Sequence, residues 1–266
     1  MSGEVTTAVV TGAARGIGLA IATALADRGH RVLLADLDGD AAAAAAEQVG
    51  RGAWSVQQDV RDDASHTTLA EQAAKEGRLA VWVNNAGILE AGACWEQDPA
   101  AIARLLDVNL RGVVSGSCAA VRAMGPDGGA ILNVASISAL TPVPGLALYA
   151  ASKAAVLSFT TSLQGDLDHA QLPIRARALC PDVVGTAMVT DVAHDPGAAM
   201  LFSGPRPLTA DAVARAGLDL LESRQVFRVV PRWRGVIARS AGLAPAVGLP
   251  TVAAMRKLGD RRQRRG

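Results

Sequence analysis

The stretch that decides the fold lies near the N-terminus and reads Val5-Thr6-Thr7-Ala8-Val9-Val10-Thr11, then Gly12-Ala13-Ala14-Arg15-Gly16-Ile17-Gly18. β-branched and apolar residues dominate its first half, which predicts a short buried strand. A glycine-rich turn follows, and the next residues up to Arg28 have a helical pattern. Similar alternation continues along the chain and predicts an α/β fold, a single domain with a doubly wound parallel sheet and helices on both faces. We predict about seven strands, near residues 5–11, 31–36, 53–58, 79–84, 129–134, 174–180 and 226–230, and a helix at about 39–49 that begins at Asp38 or Asp40.

A strand, a glycine-rich turn and a helix in this order form the arrangement that binds a pyrophosphate. Glycines let bare backbone approach the ligand, and the helix N-terminus supplies unpaired N–H groups with a partial positive charge. A glycine triplet alone is also common in ordinary loops, but the flanking strand and helix favour a dinucleotide site here.

The choice between the two nicotinamide dinucleotides depends on Asp36, which ends the second predicted strand eighteen residues after Gly18. A carboxylate at this distance hydrogen-bonds the adenosine ribose hydroxyls of NAD, and it repels the 2′-phosphate of NADP. Arg15 in the glycine turn would instead favour that phosphate, and Asp36 could also serve only as a cap or turn residue. Because Leu37 rather than a basic residue follows Asp36, we predict NAD as the cofactor.

Tyr149 and Lys153 lie four residues apart, which places them one turn apart on the same face of a helix. A phenol ordinarily has a pKa near ~10, and an adjacent ammonium favours the phenolate. We therefore expect Lys153 to lower the pKa of Tyr149, so that the phenol can exchange protons near neutrality.

Together these motifs resemble the short-chain dehydrogenase/reductase family, over about residues 5–231. The resemblance rests on the turn Thr11–Gly18, the pair Asp59-Val60, the run Asn84-Asn85-Ala86-Gly87 and the thirteen-residue spacing from Ser136 to Tyr149. It implies a Rossmann-type fold and a catalytic tetrad of Asn109, Ser136, Tyr149 and Lys153. It also implies a set of cofactor-binding residues, which are Gly12, Arg15, Gly16, Ile17, Gly18, Asp36, Leu37, Asp59, Val60, Asn85, Ala86, Gly87, Tyr149, Lys153, Pro181, Val184 and Thr186.

The same resemblance implies a role for each member of the tetrad. Tyr149 would exchange a proton with the alcohol or carbonyl oxygen, which Ser136 orients, and Lys153 would also bind the nicotinamide ribose. Ser138 is two residues from Ser136 and is an alternative to it. Asn109 lies on an apolar helical stripe with Leu105 and Val113; it either holds a water that relays protons from Lys153 or is a core amide paired with backbone.

One segment departs from the family pattern, in the run Pro181-Asp182-Val183-Val184-Gly185-Thr186. Asp182 replaces the usual glycine and would place a carboxylate near the nicotinamide; if the position needs a positive φ, Asp tolerates it less well than Gly. Residues 186–209 are expected to cover the substrate. Their apolar side chains predict a lipophilic alcohol or ketone as substrate, and these are Met188, Val189, Val192, Met200, Leu201 and Phe202.

The charge distribution separates a C-terminal extension, residues 232–266, from the dehydrogenase domain, residues 1–231. The domain holds 17 basic and 24 acidic residues, whereas the extension holds 9 basic and 1 acidic. Sixteen uncharged residues, 240–255, contain Pro245 and Pro250 and are too few and too interrupted for a membrane span. The extension either packs over the substrate pocket or a neighbouring subunit, or contacts an anionic membrane surface; nucleic acid is the weakest of the three alternatives.

We therefore predict an NAD(H)-dependent oxidoreductase that acts on secondary alcohols or ketones; an NADPH-dependent carbonyl reductase and a non-catalytic cofactor-binding scaffold are the alternatives. Helices around 100–122 and 150–166 carry many small residues, and the resemblance implies that they form the interface of a homodimer or homotetramer. The N-terminal residues have no signal-peptide pattern, which predicts a cytoplasmic protein. The three cysteines have no metal-ligand spacing, and aromatic residues make up only 3%, so neither a metal site nor a nucleic-acid partner is predicted.

Overall fold

The computed structural model describes residues 4–204, 206–243 and 245–263. Its centre is a sheet of seven strands, all paired in parallel, in the order β3-β2-β1-β4-β5-β6-β7. The strands are β1 (Thr6–Thr11), β2 (Arg31–Asp36), β3 (Trp54–Gln57), β4 (Arg78–Asn84), β5 (Gly129–Val134), β6 (Ile174–Pro181) and β7 (Phe227–Val230). All seven predicted strands are confirmed, with bounds within two residues of those expected.

Helices connect the strands and cover both faces of the sheet. They are α1 (Gly16–Asp27), α2 (Gly39–Val49), α3 (Asp63–Glu76), α4 (Pro99–Leu106), α5 (Gly112–Met124), α6 (Ala147–His169), α7 (Ala187–Thr190), α8 (Ala210–Glu222), α9 (Arg232–Leu243) and α10 (Pro245–Gln263). Of the two candidates for the start of α2, Asp38 is the cap, because its carboxylate accepts a hydrogen bond from the Ala41 N–H at 3.0 Å.

The hydrophobic core has two layers, one on each face of the sheet. Ile131 and Leu132 are neighbours in β5 and point to opposite faces, as the strand repeat requires. Leu132 packs in the layer beneath α1 and α8, whereas Ile131 packs in the layer beneath α3, α5 and α6. The doubly wound architecture is therefore confirmed.

The strand order reverses between β1 and β4, which places a topological switch point at the centre of the sheet. In such sheets ligands bind outside the carboxyl ends of the strands at this point. The glycine turn after β1 and the loop after β4 meet there. The fold thus brings together two motifs that are more than sixty residues apart in the sequence.

Small residues of α5 allow this helix to pack closely against the interior of the chain. Gly112, Gly116 and Ala119 are buried. A Cβ on Gly116 would collide with the side chain of Asn84, and one on Gly112 would lie 3.0 Å from the Val60 carbonyl oxygen. The close contacts of Gly112 and Gly116 are therefore with the chain's own sheet and loops, and the subunit interface on this helix stays a prediction. Ala154 and Ala155 of α6 are half-buried.

The C-terminal helices pack against the segment that follows β6. Gly259 of α10 approaches the Ala199 carbonyl so closely that a Cβ could not be accommodated. Arg262 Nη1 donates to the Gly204 carbonyl at 2.6 Å, and Gln263 Nε2 donates to the Asp195 carbonyl at 2.8 Å. Pro245 begins α10 at a position where proline is tolerated, and the helix continues through Pro250. Within the described ranges, no helix has both the length and the apolar character that a membrane span needs.

Candidate active site

A cavity of about 1030 Å³ opens along the carboxyl edge of the sheet. It extends from the glycine turn, past the ends of β4 and β5, to the two C-terminal helices. Nearly every predicted site residue lines it; of that set, only Gly18 and Asn109 lie behind its wall. The lining residues from the predicted set are Gly12, Arg15, Gly16, Ile17, Asp36, Leu37, Asp59, Val60, Asn85, Ala86, Gly87, Ser136, Tyr149, Lys153, Pro181, Val184 and Thr186.

The glycine turn adopts a conformation that larger residues could not share. Gly12 and Gly16 have φ values of +61° and +60°, in the left-handed region. A Cβ on Gly12 would lie 2.7 Å from the Ala86 Cα, and a Cβ on Gly18 would collide with the Gly12 carbonyl. Gly18 therefore permits the close contact between α1 and the turn, while the turn presents bare backbone to the cavity. This geometry fits a pyrophosphate at the N-terminus of α1.

Hydrogen bonds fasten the loop after β4 to the glycine turn. Asn85 Nδ2 donates to the carbonyls of Thr11 and Gly12, at 3.1 and 2.8 Å. The Thr11 hydroxyl in turn accepts from the backbone N–H groups of Asn85 and Ala86, at 3.1 and 3.2 Å. The two loops thus form one rigid floor for the cavity.

At one end of the cavity, Asp36 is held by two backbone donors. Its Oδ2 accepts from the Ala14 N–H at 3.0 Å and its Oδ1 from the Asp38 N–H at 3.2 Å. Leu37 beside it is 62% exposed. The carboxylate therefore has a fixed position facing the cavity, with an apolar neighbour rather than a cation at the next residue.

Asp59 and Arg61 also line this end and form a bidentate ion pair, with Nε at 2.9 and 3.0 Å from the two carboxylate oxygens. The hydrogen bond from Arg61 holds the pKa of Asp59 below its ordinary value. Arg61 is therefore engaged within the protein, whereas the sequence reading had considered Arg15 as the cation of this region. Arg15 is exposed and lines the cavity.

Tyr149 and Lys153 both project into the cavity from the first turns of α6. The Lys153 ammonium lies 5.8 Å from the centroid of the Tyr149 ring and donates to the Val134 carbonyl at 3.0 Å. Burial lowers the pKa of Lys153 to about 8. Burial also raises the pKa of Tyr149 to about 12, against the opposing effect of a hydrogen bond with the Ser136 side chain.

The expected lowering of the Tyr149 pKa by Lys153 is therefore not seen in this structure. Desolvation of the phenolate outweighs the hydrogen bond with Ser136, which acts in the opposite direction.

Asn109 lies in a π-helical turn, Asp107–Arg111, between α4 and α5. Its side chain is fully buried; Oδ1 accepts from the Ile88 N–H at 2.8 Å, and Nδ2 donates to the Ile88 carbonyl at 2.8 Å and to the Ser152 hydroxyl at 3.2 Å. The side-chain amide of Asn109 is thus paired with backbone, which agrees with the alternative that it is a core amide. A Cβ on Gly87 would nevertheless lie 3.3 Å from Asn109 Oδ1 and 3.4 Å from Lys153 Nζ, so both polar atoms converge on the same space.

Ser136 follows β5 in extended conformation, and its Oγ accepts from the Ser138 N–H at 3.2 Å. Ser138 was considered only as an alternative to Ser136. It is 93% buried, it lines the cavity, and its hydroxyl has no hydrogen-bond partner among the described residues. An unpaired buried hydroxyl at a cavity wall is a candidate to hydrogen-bond a ligand.

The other end of the cavity is mostly apolar. Five of the six apolar residues predicted from the covering segment line it; Phe202 is the exception. The C-terminal helices contribute a second group: Ile237 and Ala238 from α9, and Val252 and Met255 from α10. Packing of the extension over the pocket was one alternative drawn from the sequence, but these four residues were not identified there. Their positions depend on how α9 and α10 pack back over the domain, which no local pattern reveals.

Two ion pairs also line this end, Glu90 with Arg104 at 2.6 Å and Asp182 with Arg234 at 2.7 Å. Asp182 does not have a positive φ; among the described non-glycine residues only Arg51 and Gln171 do. The substitution of the usual glycine is therefore accommodated without backbone strain. Its carboxylate has a cationic partner, so its negative charge is compensated rather than free at this end of the cavity.

The comparisons with known proteins agree with this geometry. The family model described as short chain dehydrogenase matches residues 6–197. The chain belongs to this family. It is 39% identical over 203 residues to a cis-4-hydroxycyclohexanecarboxylate dehydrogenase from Sinomonas cyclohexanicum, covering 74% of this chain and 81% of the relative. It is 37% identical over 194 residues to a 2-(R)-hydroxypropyl-CoM dehydrogenase from Xanthobacter autotrophicus, covering 68% and 75%.

A crystal structure of a short-chain dehydrogenase/reductase from Burkholderia phymatum in complex with NAD has a TM-score of 0.81 to this structure at 26% identity, covering 93% of this chain and 96% of that one. The family assignment, the Rossmann-type fold and the general class of oxidoreductase are therefore confirmed.

Proposed function

We propose that this protein is an NAD-dependent dehydrogenase that oxidises a lipophilic secondary alcohol, or reduces the matching ketone, with Tyr149 as the general acid/base. The observation that carries the proposal is one cavity in which Ser136, Tyr149 and Lys153 stand between a glycine turn and an apolar wall. A scaffold that only binds a cofactor would not require this set of proton-handling groups.

The residues at the end of the cavity formed by the glycine turn and Asp36 fit a nicotinamide dinucleotide. The bare backbone of the glycine turn and the N-terminus of α1 would hold the pyrophosphate, and Asp36 would bind the adenosine ribose. Val60 and Leu37 would flank the adenine, while Pro181, Val184 and Thr186 would hold the nicotinamide end. When bound, the nicotinamide supplies the hydride acceptor or donor that the chain itself lacks.

The protein's own contribution is to orient the substrate oxygen and to move its proton. Ser136 hydrogen-bonds the oxygen and lowers the pKa of Tyr149. In ketone reduction the Tyr149 hydroxyl, protonated at neutral pH, donates its proton to that oxygen. In alcohol oxidation the phenolate accepts the alcohol proton, so oxidation becomes faster as pH rises toward the pKa of Tyr149.

Lys153 would return the proton to solvent. Its pKa of about 8 lets it exchange a proton near neutral pH. Lys153 Nζ and Asn109 Oδ1 both lie beside Gly87, so a water bonded to both groups would connect Lys153 to the relay. We assign Asn109 the role of holding that water while its amide fixes the Ile88 backbone.

The substrate class follows from the apolar end of the cavity. Methionine and aliphatic side chains from the covering segment and from α9 and α10 favour an alcohol with a ring or a branched apolar body. One relative is named for cis-4-hydroxycyclohexanecarboxylate, which supports a ring-sized secondary alcohol but not the absence of a charged group.

The second candidate is an NADPH-dependent carbonyl reductase. Arg15 favours it, because this exposed cation lines the cavity at the turn that also contacts Asp36. Asp36 disfavours it, because its carboxylate is fixed in place by two N–H donors.

For the chain as a whole, we propose a cytoplasmic homodimer or homotetramer, with residues 1–231 as the dehydrogenase domain and residues 232–266 as an added wall of the substrate pocket. Contact with an anionic membrane is the alternative for the extension. Trp233 and Val236 of α9, which are 54% and 68% exposed, would enter the lipid in that case. Co-sedimentation with anionic vesicles decides between these roles, because binding that survives deletion of residues 232–266 would exclude the extension as the anchor.

The experiment that tests the proposed function is a cofactor and substrate matrix. NAD and NADP are each combined with cyclohexanol, a hydroxysteroid and a small polyol, and NAD(P)H formation is followed by absorbance. The proposal expects turnover with NAD and the apolar alcohols; turnover of the polyol alone would contradict the substrate class.

A further inference from the structure

An ion pair joins the loop after β6 to the C-terminal extension within the wall of the cavity. Arg234 Nε lies 2.7 Å from Asp182 Oδ2, and Nη2 lies 3.5 Å from Oδ1. The two side chains are only 16% and 9% exposed, and both line the cavity. Arg234 belongs to α9, whereas Asp182 directly follows Pro181, so the pair connects two parts of the chain that are 52 residues apart.

The surroundings of this pair are apolar and tightly packed. Ile237 and Ala238, on the next turn of α9, line the same cavity. Gly235 lies so close to the Val229 side chain that a Cβ would be 2.8 Å from it, which fixes α9 against β7. The Asp182 N–H donates to the Val230 carbonyl at 2.8 Å, so the carboxylate is also anchored through its backbone. Neither partner can move away from the cavity without unpacking this corner.

A guanidinium at the wall of an apolar cavity would, if unpaired, be a strong site for an anionic group, because arginine matches a carboxylate with two parallel hydrogen bonds. Here Asp182 already occupies that position. The pair therefore presents a compensated charge to the cavity, and an entering carboxylate would meet the Asp182 oxygens as well as the arginine. The second ion pair of this region, Glu90 with Arg104, is compensated in the same way.

We propose that Asp182 is a specificity-determining residue, which neutralises Arg234 so that the cavity accepts uncharged alcohols and rejects carboxylate-bearing ones. This inference rests on the proposed function, in which this cavity receives the alcohol. It predicts that this chain disfavours the carboxylate-bearing substrate for which one relative is named.

The test is the Asp182→Asn variant, which keeps the shape of the side chain and removes its charge. Binding of cyclohexanecarboxylate and of cyclohexanol to the full-length protein is measured by calorimetry, a readout that needs no turnover. We expect the variant to bind cyclohexanecarboxylate at least ~10-fold more tightly than the wild type, the order that one charge-assisted hydrogen bond contributes. Affinity for cyclohexanol should change less than ~2-fold, because an uncharged alcohol forms no charge-assisted hydrogen bond with the guanidinium.

Kinetic assays give a second readout of the same preference. The ratio of kcat/KM for cis-4-hydroxycyclohexanecarboxylate to kcat/KM for cyclohexanol should rise in the Asp182→Asn variant. The double variant Asp182→Asn/Arg234→Gln should lose the gain in carboxylate binding, because the guanidinium is then absent. Asp219→Asn is the matched control, since Asp219 pairs with Arg28 outside the cavity; it should leave both affinities unchanged.

Arg234→Gln keeps the proposal testable if Asp182→Asn does not fold. It leaves the Asp182 carboxylate uncompensated, so it should increase the affinity for cyclohexylammonium and not for cyclohexanecarboxylate. Equal effects on the charged and uncharged probes, or a wild type that binds the carboxylate as tightly as the alcohol, would overturn the proposal. If the variants change the charge preference in binding but no alcohol is turned over, the proposed function is refuted. The role of the pair in selecting uncharged ligands then still holds.

Discussion

Replacement of Asp36 by Asn removes the charge that we expect to exclude NADP. The wild-type carboxylate is fixed between the Ala14 and Asp38 N–H groups and faces the cavity. Two unit charges ~4 Å apart interact by about 1 kcal/mol in bulk water and about 4 kcal/mol at an effective dielectric constant near 20. Because Asp36 is half-buried, we place the repulsion of a 2′-phosphate at about 1 to 3 kcal/mol, a factor of roughly 5 to 150.

The assay compares kcat/KM for NADP with kcat/KM for NAD, at one saturating alcohol concentration and at two ionic strengths. The ratio should rise by that factor in Asp36→Asn, and the rise should shrink at high salt because the interaction is partly screened. Asp40→Asn is the control, since Asp40 is exposed in the first turn of α2 and does not line the cavity. A ratio that changes by less than ~2-fold would refute the assignment of Asp36 as the discriminating residue, because the smallest repulsion calculated predicts a larger change. An equal change in both variants would refute it as well.

Three further variants test other parts of the site. Ser136→Ala removes a hydrogen bond that lowers the pKa of Tyr149, so the rising limb of kcat against pH for alcohol oxidation should move to higher pH; an unmoved limb contradicts this link. Gly12→Ala forces a side chain into a backbone with φ +61° and against Ala86, so NAD affinity measured by calorimetry should fall ~10-fold or more, as ~1–3 kcal/mol of strain requires. Lys153→Met should abolish a rise of unfolding free energy between pH ~8 and ~10.4, on the order of 3 kcal/mol in urea titrations, because the unfolded chain binds the Lys153 proton over that window and the folded chain does not.

Local patterns were sufficient to predict the frame of the molecule. The central runs of β-branched and apolar residues, β1, β2, β4, β5 and β6, are largely buried strands because helices cover both faces of the sheet, so most of their alternate side chains are apolar. The glycine turn was equally predictable, since Gly12 and Gly16 adopt the backbone conformation that favours glycine. These features depend on neighbours in the sequence, and sequence spacing reports them directly.

Features that depend on distant contacts could not be predicted in this way. The pairing of Asp182 with Arg234 joins a loop to a helix across 52 residues, and nothing near either residue specifies it. The wall that α9 and α10 add to the cavity has the same origin. The direction of the Tyr149 pKa was predicted wrongly, because a four-residue spacing reports the nearby cation but not the depth of burial.

The role of Tyr149 as the proton-transferring group is tested most directly by NADH formation from a lipophilic secondary alcohol with the wild type and the Tyr149→Phe variant, alongside calorimetric NAD titrations of both. Phenylalanine keeps the ring and removes only the hydroxyl whose proton is exchanged. We expect turnover to fall by at least ~100-fold, the lower bound for loss of a general acid/base, while NAD affinity stays within ~3-fold of the wild type, because one neutral hydrogen bond contributes little more. Substantial turnover by Tyr149→Phe with NAD bound normally would contradict the mechanism.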